Sequence, residues 1–169
     1  MHDIITQAVG IVAAAATIFS YQFKNNRMLF LFQALGGLLF SVNFLMLGAY
    51  TAAFLNLVNL FRGGLLAYGD RFKSYWFAAA LMTVYTAVTV ATYDSWLSLL
   101  ILSAQLVGTV TMWSRNGKWI RFGQLVFVSP VWLINNVIIF SLGGIITEVV
   151  SIVSVIVSLI RYRKGFDEE

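Results

Sequence analysis

Residues 51–68 read TAAFLNLVNLFRGGLLAY. The stretch is apolar and long enough to cross a bilayer as a helix, which takes roughly 17–25 residues, yet it carries Asn56, Asn59 and Arg62. Whether it crosses decides the fold, because it fixes the side on which every later loop emerges. The cations settle the matter. If the stretch spans and the N-terminus lies outside, Lys24 and Arg27 fall inside, then Arg62, Arg71 and Lys73, then Arg115, Lys118 and Arg121, and finally Arg161, Arg163 and Lys164. All 11 lysines and arginines then occupy one side or its boundary. Without this span, Arg71 and Lys73 would lie outside. Short cytoplasmic loops concentrate lysine and arginine, so the stretch is counted as a span and the C-terminus is placed in the cytoplasm.

The rest of the chain fits a lipid solvent. Of 169 residues 60% are hydrophobic and 11% charged, against about a quarter charged in soluble domains. Only helices or closed barrels satisfy their backbone within lipid, and alternating patterns of period two are absent. Helices are expected at 4–23, 28–47, 51–68, 75–93, 95–113, 119–142 and 144–162. The opening residues MHDII lack the positive segment of a signal peptide and read as the start of a retained helix. Tyr50, Trp76, Trp96, Trp113 and Trp119 fall near the expected interfaces, where aromatic rings anchor to headgroups. The basic charge balance is therefore a topological address and not a nucleic-acid surface.

An internal duplication is visible. Lys24-Asn25-Asn26-Arg27 has a counterpart 91 residues on, Arg115-Asn116-Gly117-Lys118, and Gln33 pairs with Gln124 at the same offset. At the next outer turn the glycines pair Gly48 with Gly143, an offset of 95. Four extra residues are about one helical turn; Pro130 lies in that interval and is a possible hinge. The expected fold class is thus an all-α membrane protein of seven transmembrane helices. Residues 1–69 form a first three-helix repeat, 70–94 a linker helix and 95–165 a second repeat, with an acidic tail at 166–169. Three plus one plus three makes the two bundles parallel, as in the SWEET transporters.

Several stretches in order, LGAYTAAFLNLVNLFR, WLINN, SLGGIITE and IRY, resemble the YgjV family of small bacterial inner-membrane proteins. That resemblance covers nearly the whole chain. It implies a multi-pass protein of the bacterial inner (cytoplasmic) membrane and no particular substrate. The likeness to SWEET and PQ-loop proteins is one of architecture. Those proteins usually carry hinge prolines in both bundles, whereas this chain has Pro130 alone. They place a tryptophan on the second helix of a bundle and an asparagine on the third, to which Trp132 and Asn56 correspond here.

Polar side chains inside spans usually face protein or water. Ala52, Asn56, Asn59 and Gly63 share one face of the third span, and Ser129, Trp132 and Asn136 one face of the sixth. Asn56, Asn59, Trp132 and Asn136, with Asn43 from the second span, form a candidate cradle in which an indole stacks on a solute and amides bond it. The same groups could instead clamp helices together. Gln7, Gly10, Ala14, Thr17 and Tyr21 make a comparable stripe on the first span. Glu148 sits near the outer end of the seventh span, either as an anion satisfied by its own helix terminus or as a proton or cation relay at the outer mouth. At the offset of 95 its counterpart is Ala53. Arg62 and Arg121 read as boundary cations that snorkel.

With no cysteine and one histidine, His2, no metal site is expected, and no cofactor. A single intramembrane carboxylate gives no acid–base pair, so no enzyme activity is expected. The expected function is a transporter or facilitator of a small polar solute, sugar-like or nucleoside-like, working by alternating access. The alternative is a non-transporting scaffold that binds another membrane protein. Expected partners are the lipid bilayer and the solute, with a homo-oligomer compatible and nucleic acid excluded.

Overall fold

The computed structural model describes residues 2–20, 26–68, 74–114 and 116–161. Among them are eight α-helices and one π-helical turn: α1 His2–Ser20, α2 Asn26–Met46, α3 Tyr50–Tyr68, α4 Tyr75–Ala91, α5 Trp96–Trp113, α6 Gly117–Gly123, the π turn Gln124–Val128, α7 Ser129–Ile138 and α8 Leu142–Arg161. Helix α6, the π turn and α7 follow one another without a break, so the chain makes seven rods. Lys24, Arg71, Lys73, Arg115, Arg163, Lys164 and the acidic tail lie outside the described residues, as do the side chains of Arg27, Gln33 and Arg161.

Local chemistry sets the helix starts. Asn116 caps α6, its side-chain oxygen accepting from Lys118 N at 2.9 Å, and Ser74 caps α4 through Phe77 N. Each supplies an acceptor to a helix N-terminus that has none of its own. The links are too short for parallel neighbours. A 19-residue helix is about 28 Å long, while five residues reach at most about 20 Å; α1 and α2, five residues apart, must therefore pack antiparallel. Each rod packs on the next in sequence, and α8 returns to α1, closing a ring.

The ring is inverted relative to a soluble protein. Its interior is small and polar: Ala13, Ala53, Ala104, Ser41, Ser98 and Thr109 are buried alongside Leu55, Ile101 and Tyr85. Its exterior carries Val12, Phe19, Leu31, Phe61, Val90, Val110, Val153 and Ile160, all exposed. Such a surface belongs in lipid, where small residues let helices approach closely. Among the described residues, three helices are long and apolar enough to cross a membrane on their own, over Asp3–Ser20, Trp96–Trp113 and Leu142–Ile160, and Ala34–Met46 and Tyr75–Ala91 are shorter apolar helices. Trp76, Trp96, Trp119 and Tyr50 project outward. Trp113 does not: it is buried and its Nε1 donates to Ser74 O at 2.9 Å, joining α5 to the start of α4 instead of anchoring to headgroups.

The turns after α2 and α7 correct the expected register. Helix α2 ends with Gly48 at φ 75° and α7 with Phe140 at φ 61°. Around them the same hydrogen bond forms, Ala49 N to Phe44 O (2.9 Å) and Ser141 N to Asn136 O (2.8 Å), the closing bond of a Schellman cap. Gly48 thus pairs with Phe140, at an offset of 92 and not 95. Only one residue has been inserted since the helix starts at Asn26 and Gly117, which differ by 91. A π turn holds one residue more than an α turn, and Gln124–Val128 is where that residue goes: Ser129 N bonds Gln124 O, five residues back. Pro130 explains the location. It has no N–H to give and would crowd the carbonyl four residues before it, that of Val126; widening the turn relieves the crowding.

Gly143, expected from the sequence at this turn, is helical instead. A Cβ on Gly143 would lie 1.9 Å from Gly10 O. The missing side chain serves the contact between α8 and α1, not a turn.

Candidate functional site

Inside the ring is a cavity of about 450 Å³ whose wall includes residues from every rod except α4. Its lining shows the register found in the turns. Phe40 and Trp132, Phe44 and Asn136, Asn56 and Glu148, and Asn59 and Ser151 are four pairs at an offset of 92, and all eight residues line the wall. Glu148 therefore has a polar counterpart, Asn56, where the offset of 95 had given Ala53. Ala53 is fully buried and not part of the wall.

Four of the five expected solute-contacting residues meet here, Asn56, Asn59, Trp132 and Asn136, together with Glu148, which was expected at the mouth of the cleft. Asn43 does not. It is fully buried in the outer rim, where its Nδ2 donates to Thr6 O (2.7 Å) and its Oδ1 accepts from Ser141 Oγ (2.8 Å). It ties α2 to α1 and to the α7–α8 turn. Asn43→Ala should lower thermal stability in detergent by about 1–2 kcal/mol, the scale of interhelical hydrogen bonds in membranes, and leave solute affinity unchanged. A loss of affinity with unaltered unfolding temperature would reverse that assignment.

The other side chains show how the wall is built. Asn59 Oδ1 accepts from the Tyr85 hydroxyl at 2.8 Å, which brings α4 into the network from outside the cavity. Arg62 lines the cavity and lies against that same hydroxyl, so it is a wall residue and not only a boundary cation. Trp132 is stacked on Phe44, with ring centroids 5.9 Å apart and planes 19° apart, so the protein itself holds the indole that borders the cavity. Gln124 Nε2 donates to Ser129 Oγ at 2.8 Å across the π turn, and the Ser129 hydroxyl faces the Glu148 carboxylate. Pro130 follows Ser129 at the start of α7.

Glu148 is six residues past Leu142, about 9 Å along the helix. That is beyond the first turn, whose free N–H groups could have satisfied it. Its Oε2 has no hydrogen-bond partner, and neither do two other buried atoms of wall residues, Gln105 Nε2 and Asn136 Oδ1. Each such atom costs about 1–3 kcal/mol unless a water or solute bonds it.

Gln105 and Gln124 belong to the wall although the sequence reading did not assign them to it. The signal was present for Gln105, the one amide in α5.

The rim at the end that holds the α2–α3 and α7–α8 turns is closed unequally. On the α1–α8 side Gln7 Nε2 donates to Phe140 O (2.6 Å) and Leu142 N to Gln7 Oε1 (3.0 Å), beside the Asn43 bonds. On the α3–α5 side Thr51 meets Ser98 (3.0 Å), Thr51 Oγ1 donates to Thr92 O (2.6 Å), and a second cavity of about 240 Å³ remains. Asn135, the counterpart of Asn43, lines that gap with its Nδ2 unpartnered.

The sequence profile of one protein family, Imp-YgjV, described as a bacterial inner membrane protein, matches residues 4–165. Neither a curated protein nor a solved structure matches the chain.

Proposed function

The chain belongs to the Imp-YgjV family of bacterial inner membrane proteins, and from that premise we propose that it moves a small polar solute across the membrane by alternating access between two parallel three-helix bundles. The observation that carries this reading is the cavity wall, where four residue pairs recur at one offset on helices of both halves. A wall repeated in this way supports a site on the axis between two bundles, where rocking one against the other would expose it to either side. In this reading α1–α3 and α5–α8 are the bundles and α4 links them, with the N-terminus outside.

The form described here is closed outward. The bonds of Gln7 and Asn43 seal the rim on the α1–α8 side, while Thr17, Thr111, Ile120 and Gln124 line the inner half of the cavity. The gap beside Asn135 makes the α3–α5 side the easier one to open. A scaffold would gain nothing from a cavity whose wall carries unsatisfied amide and carboxylate atoms, since helix packing alone would bury those groups against partners.

Proteoliposomes loaded with a panel of sugars, nucleosides and amino acids, and assayed for counterflow of the labelled compounds, test the proposal. Asn56→Ala and Glu148→Gln should each reduce uptake of the active compound at least about 10-fold, the effect of losing a strong hydrogen bond to a buried ligand. Unchanged uptake by both well-folded variants would refute it, as would finding both chain ends on one face of the membrane.

A further inference from the structure

Among the described residues, the cavity wall carries two charged side chains, Arg62 on α3 and Glu148 on α8. The repeat does not pair them: at the offset of 92 the counterpart of Arg62 is Ser154 and that of Glu148 is Asn56. They are additions to the symmetric frame, one in each half and of opposite sign. Counted from equivalent outer turns, Arg62 is twelve residues past Tyr50 and Glu148 six past Leu142, so Arg62 lies about 9 Å deeper along the helix direction. They do not satisfy each other. Arg62 lies against the Tyr85 hydroxyl, and Glu148 has an oxygen without any partner.

Isolated charges at this depth are costly unless something pairs with them. A neutral polyol would leave both uncompensated, and a simple cation or anion would leave one. We infer that the transported solute is a zwitterion, carrying an ammonium group toward Glu148 and a carboxylate toward Arg62. This rests on the transport reading and narrows its solute class away from sugars and nucleosides.

The surroundings of each charge agree. Trp132, Phe40 and Phe44 line the wall along the outer half of their helices, and aromatic faces attract ammonium groups. Arg62 offers a planar fork of donors suited to a carboxylate. Amides at Asn56, Gln105 and Asn136 lie on the wall as well and can bond the body of the solute with either their oxygen or their nitrogen. A cavity of about 450 Å³ is within the range of small-molecule sites.

Binding to the purified full chain in nanodiscs, measured by calorimetry, tests this. The ligands are the series glycine, β-alanine, 4-aminobutyrate, 5-aminopentanoate and 6-aminohexanoate, with lysine, and as controls butylamine, butyrate and erythritol. At least one zwitterion should bind about 10-fold or more tighter than every control, since each control lacks one or both charged hydrogen bonds. Glu148→Gln should abolish the advantage over butyrate, and Arg62→Gln the advantage over butylamine. Arg62→Lys, which keeps the charge, should recover part of the loss and so distinguishes a recognition role from a folding defect. If erythritol or a single-charge control binds best and the two variants do not alter it, the zwitterion assignment is overturned while solute transport stands. If nothing in this panel or in the sugar and nucleoside panel binds, and single cysteines introduced at Thr17 and Gln124 are closed to thiol reagents from both sides, both readings fall together.

Discussion

Gly143→Val should abolish the closed seven-rod ring, whereas Gly10→Ala, on the other side of the same contact, should cost much less. The difference follows from what each new methyl group meets. At Gly143 a Cβ would sit 1.9 Å from Gly10 O, 2.1 Å from Gly10 C and 2.8 Å from Ile11 N. These are backbone atoms of a helix and have no rotamer into which to retreat, so α1 and α8 must separate. At Gly10 the nearest atoms belong to the Asn43 side chain, at 3.0–3.2 Å, and an amide can shift by a few tenths of an ångström. Overpacking ordinarily costs about 1–3 kcal/mol. Gly143→Ala should reach at least the top of that range, and valine, with two further methyls on a stiff Cβ, should exceed what the bundle can absorb. Because the α1–α8 contact is the tight seam that closes the ring, its loss also frees the Gln7 and Asn43 bonds beside it. Size-exclusion chromatography and thermal unfolding in detergent check the order: wild type, Gly10→Ala, Gly143→Ala, then Gly143→Val with no monodisperse folded peak. A Gly143→Val protein that melts with the wild type would mean that the two helices are not in backbone contact.

The helices were legible because apolar length and cation placement are properties of composition, which survive ignorance of packing. The register of the second half was not. Glycines mark turns often enough that Gly143 read as one, but the turn is made by Phe140, a bulky residue in a left-handed conformation that its side chain does not announce. The inserted residue was invisible for a related reason: an apolar run looks the same with one residue more. That error carried Glu148 opposite Ala53 and hid its pairing with Asn56. A stripe of polar residues identifies one face of a helix and does not say what that face meets. Asn43 and Asn56 looked alike in sequence, yet one clamps the rim and the other lines the cavity. Arg62 was read from its nearness to the boundary, and a long flexible side chain there can turn outward or inward; the Tyr85 hydroxyl lies where it turns in.

Deleting one residue from the π turn tests whether that register matters for function. Val126 suits the purpose, since its side chain is more than half exposed on the outer surface and its loss removes little packing. Without it, and with Pro130→Ala in the same variant to remove the ring that would crowd an α turn, residues 124–128 have no extra residue to hold and the segment reverts to α-helix. Everything from Ser129 to Ile138 then rotates by about 100° and moves about 1.5 Å along the axis. Trp132 and Asn136 leave the wall, and the Ser129 hydroxyl no longer faces Glu148, while Ile120 and Gln124, before the deletion, keep their places. Solute binding and counterflow should fall to the background of empty liposomes. Helical circular dichroism should stay near the wild-type value, because a π turn is exchanged for an α turn and no helix is lost. The Asn43 clamp to Ser141 shifts as well, so some stability goes with the function, and Asn43→Ala supplies the comparison: it breaks the same clamp with the wall in register and should keep full affinity. A deletion protein that binds as tightly as Asn43→Ala would show that the extra residue does not position the wall, and the pairing of Asn56 with Glu148 would lose its functional meaning.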